Sequence, residues 1–64
     1  MKWRSLLGHL QQHGCVPVRE GGSHSIWSNP LTGRKEAVPR HNEIKKHLAH
    51  SICRHLSVPV PPGE

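Results

Sequence analysis

The chain has no phenylalanine and no tyrosine, and Trp3 and Trp27 are its only aromatic residues. With 64 residues and 33% hydrophobic content, it has material for one small core near the lower limit of what folds alone. Oligomerisation or a tight partner is a natural supplement at this size, and the free form is expected to be a monomer or a weak dimer. With both tryptophans on apolar stripes, no aromatic is left to stack on bases, so nothing reads as a code for nucleotide sequence. Cys15 and Cys53 are too few for a disulfide framework and fit reduced, buried thiols. No apolar run approaches the roughly 20 residues that span a bilayer. The opening Met1-Lys2-Trp3-Arg4-Ser5-Leu6-Leu7 runs into polar helix instead of a signal-peptide core. A cytoplasmic protein without membrane association is therefore expected. Acidic residues are scarce too: four Asp+Glu face nine Lys+Arg, for a formal net charge of +5 and a pI near 10.0. Such a surface favours a polyanion, nucleic acid being the commonest, with solubilising charge as the bland alternative.

What is present is strongly patterned. Trp3, Leu6, Leu7 and Leu10 stand at i, i+3, i+4 and i+7, one stripe of an amphipathic helix that Gly14 ends. Cys15 to Glu20 has strand character, but Pro17 lacks a backbone donor and argues for an edge strand or a locally unpaired position. Gly21-Gly22 supplies a turn, where glycine permits positive φ and close approach to a ligand. Ser23 to Ser28 reads as a second strand, with His24 and Ile26 on one face and Ser25 and Trp27 on the other. Asn29-Pro30-Leu31-Thr32-Gly33 reads as a hairpin loop. A third strand follows from Arg34 to Val38, and Pro39 stops it. After a connector, Ile44, Leu48, Ile52 and Leu56 recur every four residues, with Ala49 and Cys53 widening the stripe of a second helix.

The expected fold is thus α+β in the order α-β-β-β-α: a three-stranded antiparallel sheet with two helices packed on one face. Residues 1–57 form the domain, and residues 58–64 a proline-rich tail expected to be extended and mobile. Trp27 points to the helices and His24 to the open, basic face.

Ordered motifs sharpen this picture. Gly22-Ser23-His24-Ser25-Ile26-Trp27, Asn29-Pro30, Gly33-Arg34, Val38-Pro39-Arg40-His41, Glu43-Ile44-Lys45 and Leu48-Ala49-His50-Ser51-Ile52 together resemble the HicA family of toxins. The resemblance covers residues 2 to 56 or so. It implies a small mRNA interferase of a bacterial toxin–antitoxin pair, with a fold like a double-stranded RNA-binding domain. It further implies metal-independent endoribonuclease activity with His24 as the active-site residue, and a HicB-type antitoxin that covers the site. Lys45-Lys46-His47 departs from the Lys-Pro-Gly of many members, and the family pattern is silent on the tail.

The chemistry fits these residue types. RNA carries its own nucleophile, the 2′-hydroxyl, and needs a base to take that proton and an acid for the leaving 5′-oxygen. Imidazole, with an ordinary pKa near 6.5, suits either role. Backbone N–H groups of Gly22 and Ser23 can stabilise charge on phosphorus. Arg34, Arg40, Lys45 and Lys46 form an expected phosphate track, the lysines aided by a helix N-terminus. The bland readings are an ordinary exposed strand histidine and a solvated charged rim. His41 could be a second acid/base, or a connector side chain bonding to backbone, and is left outside the catalytic set. His9 and His13 have i, i+4 ligand spacing, but no closed four-ligand set exists, so neither metal nor cofactor is expected. The rival function is a non-catalytic RNA-binding module of the same fold.

Overall fold

The computed structural model describes residues 1–61, so positions 62–64 of the expected tail lie outside the described residues. Five elements follow in order: α1 (Trp3–Gln12), β1 (Val16–Glu20), β2 (His24–Asn29), β3 (Arg34–Pro39) and α2 (Lys46–His55). The strands make one antiparallel sheet in the order β1-β2-β3. This is the expected α-β-β-β-α architecture. Along β2, Ser25, Trp27 and Asn29 are buried on the helix-covered face, while the other face opens from buried Ser28 through half-buried Ile26 to exposed His24. Leu6 and Leu10 of α1, Trp27, Val38, and Ala49, Ile52, Cys53 and Leu56 of α2 share a single core. At about 25 cal/mol per Å² of apolar surface, each large side chain in this core stabilises by roughly 2 kcal/mol.

The α1 terminus is a Schellman motif. Gly14 takes φ +85°, its N–H donates to the Gln11 carbonyl (3.0 Å), and the Cys15 N–H reaches back to the Leu10 carbonyl (2.9 Å). The hydrogen bond from Cys15 delivers the chain directly into β1, an edge strand whose five residues are all exposed.

Two features of α2 differ from the expected pattern. The helix begins at Lys46, with Lys45 extended at its N-cap (φ −63°, ψ 146°), and not at Ile44. Ile44 is buried for another reason: its N–H donates to the Met1 carbonyl (2.7 Å), while the Trp3 N–H donates to Asn42 (3.0 Å). A short pairing with the N-terminal residues has taken the backbone groups a longer helix would use. Leu48 lies on the helix margin and is 36% exposed, because Ala49, Ile52, Cys53 and Leu56 form the inward face.

Packing continues past position 57. Val58 is 8% exposed and belongs to the core, and the His9 Nε2–H donates to the Pro59 carbonyl (2.7 Å). Cys15 and Cys53 are buried free thiols, as expected. No helix among the described residues is long and apolar enough to cross a membrane.

Candidate functional site

The β1–β2 turn is built to be tight. The last cross-strand pair is Glu20 with Ser25, and the Gly21 N–H donates to the His24 carbonyl (2.8 Å) across the turn. A Cβ on Gly21 would lie 2.8 Å from that same carbonyl oxygen, so steric closeness demands glycine here. The expected positive φ is not the reason: among the described residues the glycines with positive φ are Gly14 and Gly33, which serve a helix end and the β2–β3 hairpin. Gly22 has open space around it.

His24 opens β2 on the exposed face, opposite Pro39 of β3. Its Nδ1 lies 3.1 Å from Ser23 Oγ. With the ring proton on Nδ1, the imidazole donates to that hydroxyl and leaves Nε2 free to accept a proton from a ligand. Arg40 braces the turn twice. Its N–H donates to the Ser23 carbonyl (3.0 Å), and its Nη1 donates to the Gly21 carbonyl (3.4 Å). The guanidinium carbon also stands 5.8 Å from the Trp3 ring centroid, within cation–π range. The N–H groups of Gly22 and Ser23 have no protein partner among the described residues.

Beside this turn lies an open depression of about 260 Å³, lined by Arg19, Gly21, Gly22, Ser23, His24 and Ile26. No carboxylate among the described residues lines it. The nearest in sequence, Glu20, is turned to the opposite face, where Ser25 Oγ donates to its carboxylate (2.6 Å).

The expected site residues are thus partly gathered. Gly22, Ser23 and His24 share the depression, and Arg40 holds two carbonyls of the adjoining turn. Arg34 does not join them: it pairs with Asn29, at the other end of β2, roughly 16 Å away at strand rise. Lys45 and Lys46 are exposed at the start of α2, whose first turn holds no acidic residue. Its leading N–H groups lack intrahelical partners.

Sequence reasoning missed Arg19. Simple alternation from Val16 puts position 19 on the helix-facing side together with Pro17. The register shifts between Pro17 and Arg19, however, so Arg19 pairs with Ile26 on the open face and Glu20 with Ser25 on the inner one. Pro17 was the available signal, since a residue without a donor is tolerated at an edge or a bulge. No group of three or more His, Cys, Asp or Glu side chains among the described residues is placed to hold a metal ion. His9 and His13 instead meet ring to ring, with centroids 4.6 Å apart.

A family model for the HicA toxin of bacterial toxin–antitoxin systems matches residues 3–58 of the chain. The chain belongs to the HicA toxin family. No curated protein and no solved structure matches it. The HicA match begins with the first residue of α1 and ends on Val58, the last buried apolar residue of the core. Membership gives the coarse role: this is the toxin of a toxin–antitoxin pair. The HicA match takes in the whole β1–β2 turn and the depression beside it.

Proposed function

We propose that this HicA-family toxin is an endoribonuclease that cuts mRNA, with His24 as general acid/base. The observation that carries the reading is the position of His24: an exposed imidazole, oriented by Ser23, beside a depression that no carboxylate among the described residues lines. The phosphodiester sits in that depression. Attack by the adjacent 2′-oxygen on phosphorus expels the 5′-oxygen, and His24 moves one of the two protons involved. The free N–H groups of Gly22 and Ser23 face the charge that builds on the non-bridging oxygens. Arg40, already holding two carbonyls of the turn, keeps the imidazole in place and adds positive potential. Lys45 and Lys46, with the α2 N-terminus, hold the flanking backbone. Arg34 contacts RNA only if the strand extends along the full length of β2.

The reaction needs no external nucleophile, which supports cleavage without a metal. The partner in this reading is a HicB-type antitoxin that seats over the His24 face and blocks RNA, and the site of action is the cytoplasm, where mRNA is. End-group analysis tests the reaction. RNA digested by the purified toxin in EDTA is expected to carry 2′,3′-cyclic phosphate and 5′-hydroxyl ends. Fragments with 5′-phosphate ends would rule out attack by the 2′-oxygen.

A further inference from the structure

We propose that Arg19 is a second catalytic residue, the cation that binds the non-bridging oxygens of the scissile phosphate and stabilises the phosphorane. The proposal rests on the nuclease reading of the His24 site. Among the residues lining the depression, Arg19 is the one cation. Its side chain makes no hydrogen bond or ion pair among the described residues, so its donors are free for a ligand. Arg40 differs in this respect, since part of its guanidinium is committed to the Gly21 carbonyl.

The bulge in β1 is what places it there. In an uninterrupted strand, Arg19 would face the helices and Glu20 would share the open face with His24. The register shift between Pro17 and Arg19 exchanges them. A cation arrives beside His24, and the carboxylate leaves for Ser25 Oγ. For a dianionic transition state both changes act in the same direction, since the first adds attraction and the second removes repulsion. Bulges occur next to active sites, where they re-aim a side chain. A planar guanidinium also matches two phosphate oxygens at once, which a lysine ammonium does not.

The chemical step balances within the RNA. The 2′-oxygen–phosphorus bond forms as the phosphorus–5′-oxygen bond breaks. The proton lost at the 2′-hydroxyl is matched by one gained at the 5′-oxygen, and no water, oxidant or metal enters. Arg19 transfers no proton and acts on charge alone, a role distinct from that of His24.

The test separates kcat from affinity. Single-turnover cleavage of one RNA oligonucleotide is measured for the wild type, Arg19→Ala and Arg19→Lys. Binding is measured with the same oligonucleotide carrying 2′-O-methyl groups, which cannot be cut. Arg19→Ala is expected to lower the cleavage rate about 10² to 10³-fold, with less than about a tenfold loss of affinity for the uncleavable RNA. Arg19→Lys is expected to recover part of the rate. Unchanged melting temperatures control for folding, as a side chain without partners predicts. If Arg19→Ala cuts at the wild-type rate, or loses affinity and rate in equal measure, Arg19 is not catalytic. If the wild type itself leaves RNA intact, the nuclease reading falls as well, and the two failures are told apart by that control.

Discussion

Asn29 is 3% exposed, and both ends of its side-chain amide are used. Nδ2 donates to the Leu56 carbonyl at the end of α2 (2.7 Å), and Oδ1 accepts from the Leu31 N–H in the hairpin loop (3.0 Å). One residue thus fastens the β2–β3 hairpin to the end of the last helix. Asn29→Ala leaves the Leu56 carbonyl without its donor, and a buried group stripped of its partner costs about 1–3 kcal/mol. Urea denaturation is expected to show a loss of about 2 kcal/mol, with the β1–β2 turn at the opposite end of β2 still formed. At this scale the sequence was readable where function depends on neighbours in the chain. Gly21, Gly22, Ser23 and His24 are contiguous, so their local pattern announced the turn. Asn29 read only as a turn former, because its bond to Leu56 spans 27 positions. The bracing by Arg40 was hidden for the same reason, as its Nη1 contact spans 19. Arg19 was hidden by a bulge that reverses its face.

Elements end where their caps allow. Both helices finish in the same motif, but with different residues at the left-handed position. In α1 that residue is Gly14; in α2 it is Ser57, at φ +59°. The Ser57 N–H donates to the Arg54 carbonyl (3.0 Å) and the Val58 N–H to Cys53 (2.9 Å), which brings Val58 into the core. A non-glycine residue in this conformation carries a steric cost of roughly 1–2 kcal/mol, partly offset by the lower entropy of its unfolded chain. Ser57→Gly is therefore expected to stabilise the protein by about 1 kcal/mol, seen as a higher midpoint in urea at unchanged slope. An unchanged or lower midpoint would show that the Ser57 conformation is not strained. The end of α1 was legible because glycine marks it, whereas nothing in Ser57 announces a left-handed residue. The start of α2 was misplaced because Ile44 owes its burial to pairing with Met1, across the length of the chain. Strand order and facing survived these errors, since His24, Ser25, Ile26 and Trp27 alternate without interruption.

The molecule as a whole combines a small apolar core with a basic exterior. Burial raises the pKa of both thiols from the ordinary 9.0, and that of Cys53 to about 11, with a lesser contribution from the neighbouring Cys15. Between those values the unfolded chain has lost protons that the folded chain retains, so stability falls as pH rises. The contribution is fully present below about pH 9 and is lost as pH climbs through about 11. Melting temperatures taken from pH 8 to 11 are expected to decline more steeply in the wild type than in Cys53→Ala, although the variant starts lower because it leaves a cavity. Equal slopes would show that the thiols do not govern the alkaline limit. Outside the core, the net charge is +5, and no carboxylate among the described residues lines the depression beside His24. The proposed acid/base role of His24 beside that depression is tested most directly by one rate. Purified wild type and His24→Ala, shown to melt at the same temperature, are compared on a single RNA in EDTA. A positioned acid or base contributes about 10² to 10⁴-fold, so the variant is expected to cut at least about a hundredfold more slowly. Cleavage by His24→Ala at the wild-type rate would contradict a catalytic role for His24.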